Sequence, residues 1–225
     1  MTSDTPLTHA IPPTLSATPL TTVKRGRGRA IDDGQALLDF IDQTLICHVG
    51  FVVNGQPRVI PTCHWRDGNH LYWHGHGKAA NIADAAHSTQ KVCVTISHLD
   101  GLVMARSAFH HSANYRAAMI YGVPEAVTDP EQKKHQFERF VEKISPGRWP
   151  LLRPVTDSET RATGILRIKL DEASMKVRAD GVLDDDADRD WPVWAGVLPV
   201  IPQWQPPEQD AKQTAAYPPP AWPGM

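Results

Sequence analysis

Two histidines, two glycines and a lysine crowd into "LYWHGHGKAANIADA", from Leu71 to Ala85. In a strand, His74 and His76 lie at i and i+2 and face the same side. That is the spacing of a two-histidine metal site on a β-barrel, with His64 or His48 available as a third ligand. Lys78, however, stands where a carboxylate would help, and a cation beside a metal is unfavourable. No metal is expected. A phosphate suits the same residues better. Glycines at a strand end let backbone N–H groups approach an anion, and a helix beginning near Ala79 turns its positive end the same way. Lys78 adds a point charge. The stretch is not a Walker A loop, which needs four residues between its glycines and a Ser or Thr after the lysine. A tight strand-to-helix turn with a solvated lysine fits it as well.

A second cluster lies in "ARSAFHHSANYRA", from Ala105 to Ala117, which gathers Arg106, Ser107, His110, His111, Ser112, Asn114, Tyr115 and Arg116. Loops are polar in general. Two arginines, two histidines and a tyrosine at strand ends are more than that requires, and they offer what a phosphorylated aromatic cofactor needs. Near the C-terminus, "WPVWAGVLPV" (Trp191 to Val200) brings two tryptophans that can cover a core edge or cap a flat ring.

Strands and short helices must position these groups. "DDGQALLDFID" begins with a carboxylate cap and spaces Ala36, Leu37, Phe40 and Ile41 at helical intervals. "LICHVGFVV" alternates, with Leu45, Cys47, Val49, Phe51 and Val53 on one face. Asn54-Gly55 then signals a hairpin. "QPRVIPTCHW" runs to a second turn at Asp67-Gly68, and "NHLYWHGH" completes a β-meander over residues 45–76. A short helix (about 78–86) precedes the long strand region "KVCVTISHLDGLVMARSAF". After the polar "HHSANYR" a further strand is expected in "AAMIYGVPEAV". "DPEQKKHQFERFVEKI" reads as an amphipathic helix with Phe137, Phe140, Val141 and Ile144 on one stripe and Asp129 near its start. "TGILRIKLDEASMKVRA" reads as the last strand. About six strands without βαβ alternation predict a mainly β, α+β protein: an antiparallel barrel with short flanking helices.

The chain of 225 residues suits one domain. Residues 1–22, rich in Thr, Pro and Ser, are expected to form a disordered arm. The domain spans 23–200, and a proline-rich tail covers 201–225. A net charge of −2 and a pI near 6.6 give no support for nucleic-acid binding. No apolar run approaches a membrane span, and no secretory signal opens the chain. Cys47, Cys63 and Cys93 form no CxxC pair and sit in apolar, strand-like settings, so buried reduced thiols and a cytoplasmic location are expected.

Together "PRVIPTCHWRDGNHLYWHGHGKAANI", "VCVTISHLDGLVMARSAFHHSANYRAAMIYG", "PGRWPLLRPVTDSET" and "WPVWAGVLP" resemble the pyridoxamine 5′-phosphate oxidase-related split β-barrels, in particular their flavin-nucleotide-binding, nitroimidazole-resistance-like branch. The resemblance covers roughly residues 23–200. It implies a homodimer with FMN in clefts at the interface. It also implies that Arg58, Thr62 and the turn of His74, Gly75, His76 and Lys78 hold the FMN phosphate and ribityl chain. Ser107, Asn114, Tyr115 and Arg116 would complete the cleft. His74, nearest the ring, is the candidate for proton chemistry, or else a hydrogen-bonding partner of the ribityl chain. The function implied is reduction of a small aromatic or nitro-type acceptor. A non-catalytic flavin carrier and a haem-binding split-barrel relative remain as alternatives. The turn lacks the Ser-Arg-Lys ending of the vitamin B6 oxidase, and "WPVWAGVLPV" replaces its arginine–histidine pair. These departures point away from vitamin B6 oxidation.

Overall fold

A computed structural model describes residues 14–15, 17–79, 82–83, 89–215 and 217–219. Its antiparallel sheet has the strand order β1-β9-β6-β5-β2-β3-β4-β8-β7, with β10 on the far half of β5. The strands are β1 (Ala30–Ile31), β2 (Ile46–Val53), β3 (Gln56–Asp67), β4 (His70–His76), β5 (Val92–Met104), β6 (Ser112–Gly122), β7 (Glu125–Ala126), β8 (Thr163–Lys169), β9 (Ala173–Arg178) and β10 (Gly196–Pro199). Helices α1 (Gly34–Gln43), α2 (Pro130–Ile144) and α3 (Asp157–Ala162) flank it. The arrangement is the expected split β-barrel.

Local chemistry accounts for the meander. The β2–β3 hairpin closes on Asn54 and Gly55, both at positive φ (51° and 75°), with Val53 paired to Gln56. This is the left-handed geometry that Asn-Gly supplies at least cost. The next turn is one residue later than the Asp-Gly pair suggests: Asp67 pairs with His70, and Gly68 (φ 57°) takes the first central position. Asp33 caps α1 by accepting from the Gln35 N–H, and Asp129 caps α2 by accepting from Gln132.

The barrel interior holds Leu37, Phe40 and Ile41 of α1 against Cys47, Val49, Leu71, Trp73, Val94, Ile96, Ile120 and Leu166. Full burial of an aliphatic side chain such as Leu71 contributes about 1.5–3 kcal/mol. A smaller cluster forms where Phe137 and Phe140 of α2 cover Trp65, Tyr72 and Ile165. Gln136 is buried there because its side chain accepts from Trp65 Nε1 (2.7 Å) and donates to Asp67 (2.9 Å).

Because Cys47, Val49 and Phe51 point inward, the alternate side chains of β2 point out. Register then places Ile46 beside Cys63, Gly50 beside Val59, and Thr95 beside Met119 on that outer face. Ile46, Val52, Val59, Leu99 and Met119 are all exposed there, Val59 at 66%. Neither α1 nor α2 covers them.

Three expectations are corrected. Strand β6 begins at Ser112, so Asn114, Tyr115 and Arg116 are strand residues rather than loop. "TGILRIKLDEASMKVRA" is two strands: β8 pairs with β4 and β7, whereas β9 pairs with β6 and β1. The chain changes edge at Leu170–Glu172, which is how the barrel splits. The arm expected to be disordered over 1–22 is anchored in its later part. Leu15 donates its N–H to Asp32, Thr18 Oγ1 donates to Glu172, and Thr21 is buried. Residues 1–13 and 16 lie outside the described residues, as does most of the helix expected near 78–86. Of that helix, Ile82 and Ala83 are described and both bond back to the Ala79 carbonyl.

Candidate functional site

The turn after β4 is held by α3 and β8. Gly77 donates its N–H to the Ala162 carbonyl (2.8 Å), and Ala79 donates to His76 (2.8 Å). His76 Nδ1 accepts the Lys78 N–H at 3.2 Å. The backbone amides of Gly77 and Lys78 are therefore occupied, contrary to the expectation that they face an anion. Neither Gly75 nor Gly77 has a positive φ. Close approach is what requires glycine here. A Cβ on Gly77 would lie 3.3 Å from the Ala162 oxygen, and one on Gly164 would lie 2.2 Å from Ile82 Cγ2. Anion binding at this turn falls to side chains. Lys78 and Arg58 are both exposed, and neither side chain has a hydrogen-bond or ion-pair partner among the described residues.

His74 sits against Trp65 (ring centroids 5.6 Å apart) and edge-on to Phe140 (4.6 Å). Its Nδ1 is buried without a hydrogen-bond partner among the described residues. Burial pulls its pKa below the ordinary 6.5, so the ring is neutral at pH 7. A proton-transfer inflection belongs below the 6.5 of an unperturbed imidazole. Thr62 lies next to it across the ladder, with Oγ1 3.5 Å from the His74 carbonyl. His64 is no ligand: its buried Nε2 donates to the Ile41 carbonyl at 3.1 Å.

The second cluster occupies the far end of β5 and β6. Arg116 is engaged internally. It forks onto Asp100 (2.9 and 3.2 Å), reaches Gln43 at 3.1 Å and lies 5.3 Å over the Phe40 ring. The register shift between Leu99 and Gly101 turns Asp100 toward it. Asn114 donates to the Asp180 carbonyl (3.0 Å) and accepts from Arg178, which is only 3% exposed. Tyr115 has the opposite facing and joins Leu99 on the outer apolar side. Ser107 Oγ and Arg106 Nε are buried and without hydrogen-bond partners among the described residues. Arg106 otherwise grips Asp184 through its backbone N–H (3.0 Å) and Nη1 (2.9 Å).

The expected set thus falls into two groups. His74, Gly75, His76 and Lys78 lie with Thr62 and Arg58 on β3, β4 and the turn after it. Ser107, Asn114, Tyr115 and Arg116 lie on β6 and the turn before it. Strand β2 and most of β5 separate them, and no hydrogen bond or ion pair joins them among the described residues. Arg178 and Asp184 support the second group but are absent from the expected set; an arginine in "KVR" and a carboxylate in "DDDAD" give no local sign of burial.

The family model described as pyridoxamine 5′-phosphate oxidase matches residues 33–177. A comparison with curated proteins finds no match. Among solved structures, the chain is 39% identical to a flavocytochrome from Azotobacter vinelandii, with a TM-score of 0.85, covering 89% of this chain and 93% of that one. It is 29% identical to an FAD- and haem-binding protein from Mycobacterium smegmatis, with a TM-score of 0.80 and coverage of 84% and 93%. A structure from Bacteroides thetaiotaomicron, assigned to 5-nitroimidazole antibiotic resistance, shares the fold at 24% identity, a TM-score of 0.56 and coverage of 66% and 86%. With the barrel, the turn and the family match in agreement, this chain belongs to the pyridoxamine 5′-phosphate oxidase family.

Proposed function

We propose that the protein is a flavin-dependent oxidoreductase that works as a homodimer and uses the FMN moiety, alone or as half of FAD. The observation that carries this reading is the rim of the outer sheet face. A buried, unpaired His74 nitrogen lies on that side with the exposed apolar residues Val59 and Ile46, the unpartnered Lys78 side chain follows on the turn after β4, and unpartnered Arg58 stands farther along β3, opposite Phe51. Lys78 and Arg58 hold the phosphate. The apolar face and its symmetry mate enclose the ring and exclude water. Tyr115 and Ser107 of one copy complete the cleft of the other, which brings the two separated groups together. The arm carrying Trp191 and Trp194, both exposed, is the second apolar surface that a partner covers. Neutral His74 offers one N–H to a substrate or to the ribityl chain. A bound flavin supplies the hydride and single-electron chemistry, and a small aromatic or nitro-type compound is the acceptor.

The similarity to two proteins named for haem as well as flavin favours a second reading, in which haem joins the flavin. His48 and His111 are exposed and can offer a ring nitrogen to iron, and the sequence holds no CxxCH motif for covalent c-type attachment. Purified protein should show paired near-UV and blue flavin bands and release FMN or FAD on denaturation, as read by mass spectrometry. It should scatter light as a dimer. A colourless protein that takes up neither flavin refutes the first reading. A monomer that retains flavin refutes the shared cleft.

A further inference from the structure

We propose that the cavity beneath the N-terminal arm binds a small aromatic carboxylate, at a site separate from the flavin rim. The arm is fastened to the β1–β9 edge of the sheet. Leu15 donates its N–H to the Asp32 carbonyl (2.7 Å), Thr18 Oγ1 donates to Glu172 (2.8 Å), and Thr22 donates its N–H to the Thr18 carbonyl (2.9 Å). A cavity of about 190 Å³ remains between arm and sheet. Its apolar lining is Leu15, Ala17 and Val23 of the arm, Ile31 of β1, and Ala173 and Met175 of β9. Ala173 and Met175 are buried and belong to the barrel core. An apolar cavity of roughly 150 Å³ is enough to take up benzene, so this one has room for a single ring with one small substituent.

Charge decides the substituent. Arg27 also lines the cavity, and its side chain has no hydrogen-bond or ion-pair partner among the described residues. A guanidinium left without a partner is a planar fork that matches a carboxylate. The surrounding "KRGRGR" adds Lys24, Arg25 and Arg29, against one carboxylate among the described lining residues, that of Asp32. Arg29 is shared with Asp180 at 4.0 Å. An anion gains from that excess of cations, and an ammonium does not. Sheet order keeps the site apart from the flavin rim: β9, β6, β5, β2 and β3 stand between β1 and β4, the strand that leads to Lys78.

Calorimetric titration of the full-length protein tests this with three probes. Benzoate has both ring and charge, benzyl alcohol keeps the ring without the charge, and acetate keeps the charge without the ring. Benzoate should bind with a Kd of about 1 mM or tighter, and acetate should give no measurable binding. Arg27→Gln should weaken benzoate by roughly tenfold to a hundredfold, the loss of a charge-assisted contact, and leave benzyl alcohol unchanged. Arg25→Gln removes an equal charge outside the lining and should change benzoate by at most about threefold, because exposed charges are screened. Thermal midpoints of both variants serve as folding controls. Added FMN should leave benzoate in place. No binding of benzoate up to about 10 mM, acetate binding as well as benzoate, equal losses in the two variants, or displacement by FMN each overturns the assignment.

Discussion

Acid should destabilise this fold through one buried histidine before most carboxylates titrate. His64 is fully buried, and its Nε2 donates to the Ile41 carbonyl near the end of α1 at 3.1 Å. Lys143 donates to the same oxygen at 2.9 Å. Burial first, and the Lys143 charge second, pull the His64 pKa from 6.5 to about 3. The unfolded chain therefore binds more protons than the folded one between those values, so stability rises with pH across that window and is lost as pH falls. Taking 6.5 and about 3 as the two values, the loss at pH 5 relative to pH 7.5 is about 2 kcal/mol, growing to about 3 kcal/mol at pH 4. His64→Gln keeps a donor for the carbonyl but has no proton to gain. Urea unfolding at pH 7.5 and pH 5 should show the wild type losing about 2 kcal/mol more than the variant. His70 and His74, whose pKa values burial also lowers, titrate in both proteins and cancel in the difference. Equal pH dependence in the two proteins would refute the assignment of this sensitivity to His64.

Two further outcomes follow from the turn. Gly164→Ala drives a Cβ to 2.2 Å from Ile82 Cγ2, so the strand or the turn must shift at a cost of about 1–3 kcal/mol. A lowered thermal midpoint together with weaker flavin binding is expected, and an unchanged midpoint would show that the packing at Ile82 yields freely. Lys78→Ala should weaken FMN by roughly tenfold to a hundredfold through loss of a charge-assisted contact. Riboflavin, which lacks the phosphate, should bind both proteins alike in calorimetric titration; equal losses for the two flavins would mean that the lysine acts through folding.

Where local chemistry decides structure, the sequence was readable. The alternation through Cys47, Val49 and Phe51, the Asn54-Gly55 turn and the Asp129 cap each determine their element with near neighbours alone. Reading failed where the deciding partner is distant in sequence. Asn114 and Arg116 look like loop residues because the groups that satisfy them, Arg178 and Asp100, are brought in by strand pairing. Gly77 looked free to present its amide because its partner, Ala162, precedes β8. Thr18 looked disordered because Glu172, its acceptor, lies beyond β8. The two clusters stand out by residue type alone, Arg58 and Thr62 come only through family resemblance, and the division of the set into two groups depends on sheet order, which no local pattern encodes.

The order of strand pairing bears on synthesis in the cell. Strands β2 and β3 can close through their two-residue turn as soon as they emerge. Strand β9, which joins β6 to β1, and β10, which lines β5, are made last. The free edges of the hairpin are closed by β4 and then by β5, which is complete about 50 residues after Val53, a delay on the order of five seconds at ribosomal speed. Meanwhile the nascent hairpin is apolar on both sides, with Val49 and Phe51 on one and Ile46, Val52 and Val59 on the other. Such a ribbon is a template for pairing with neighbouring chains. The pace of translation through β4 and β5 sets how long that template stays open, whatever the stability of the finished barrel.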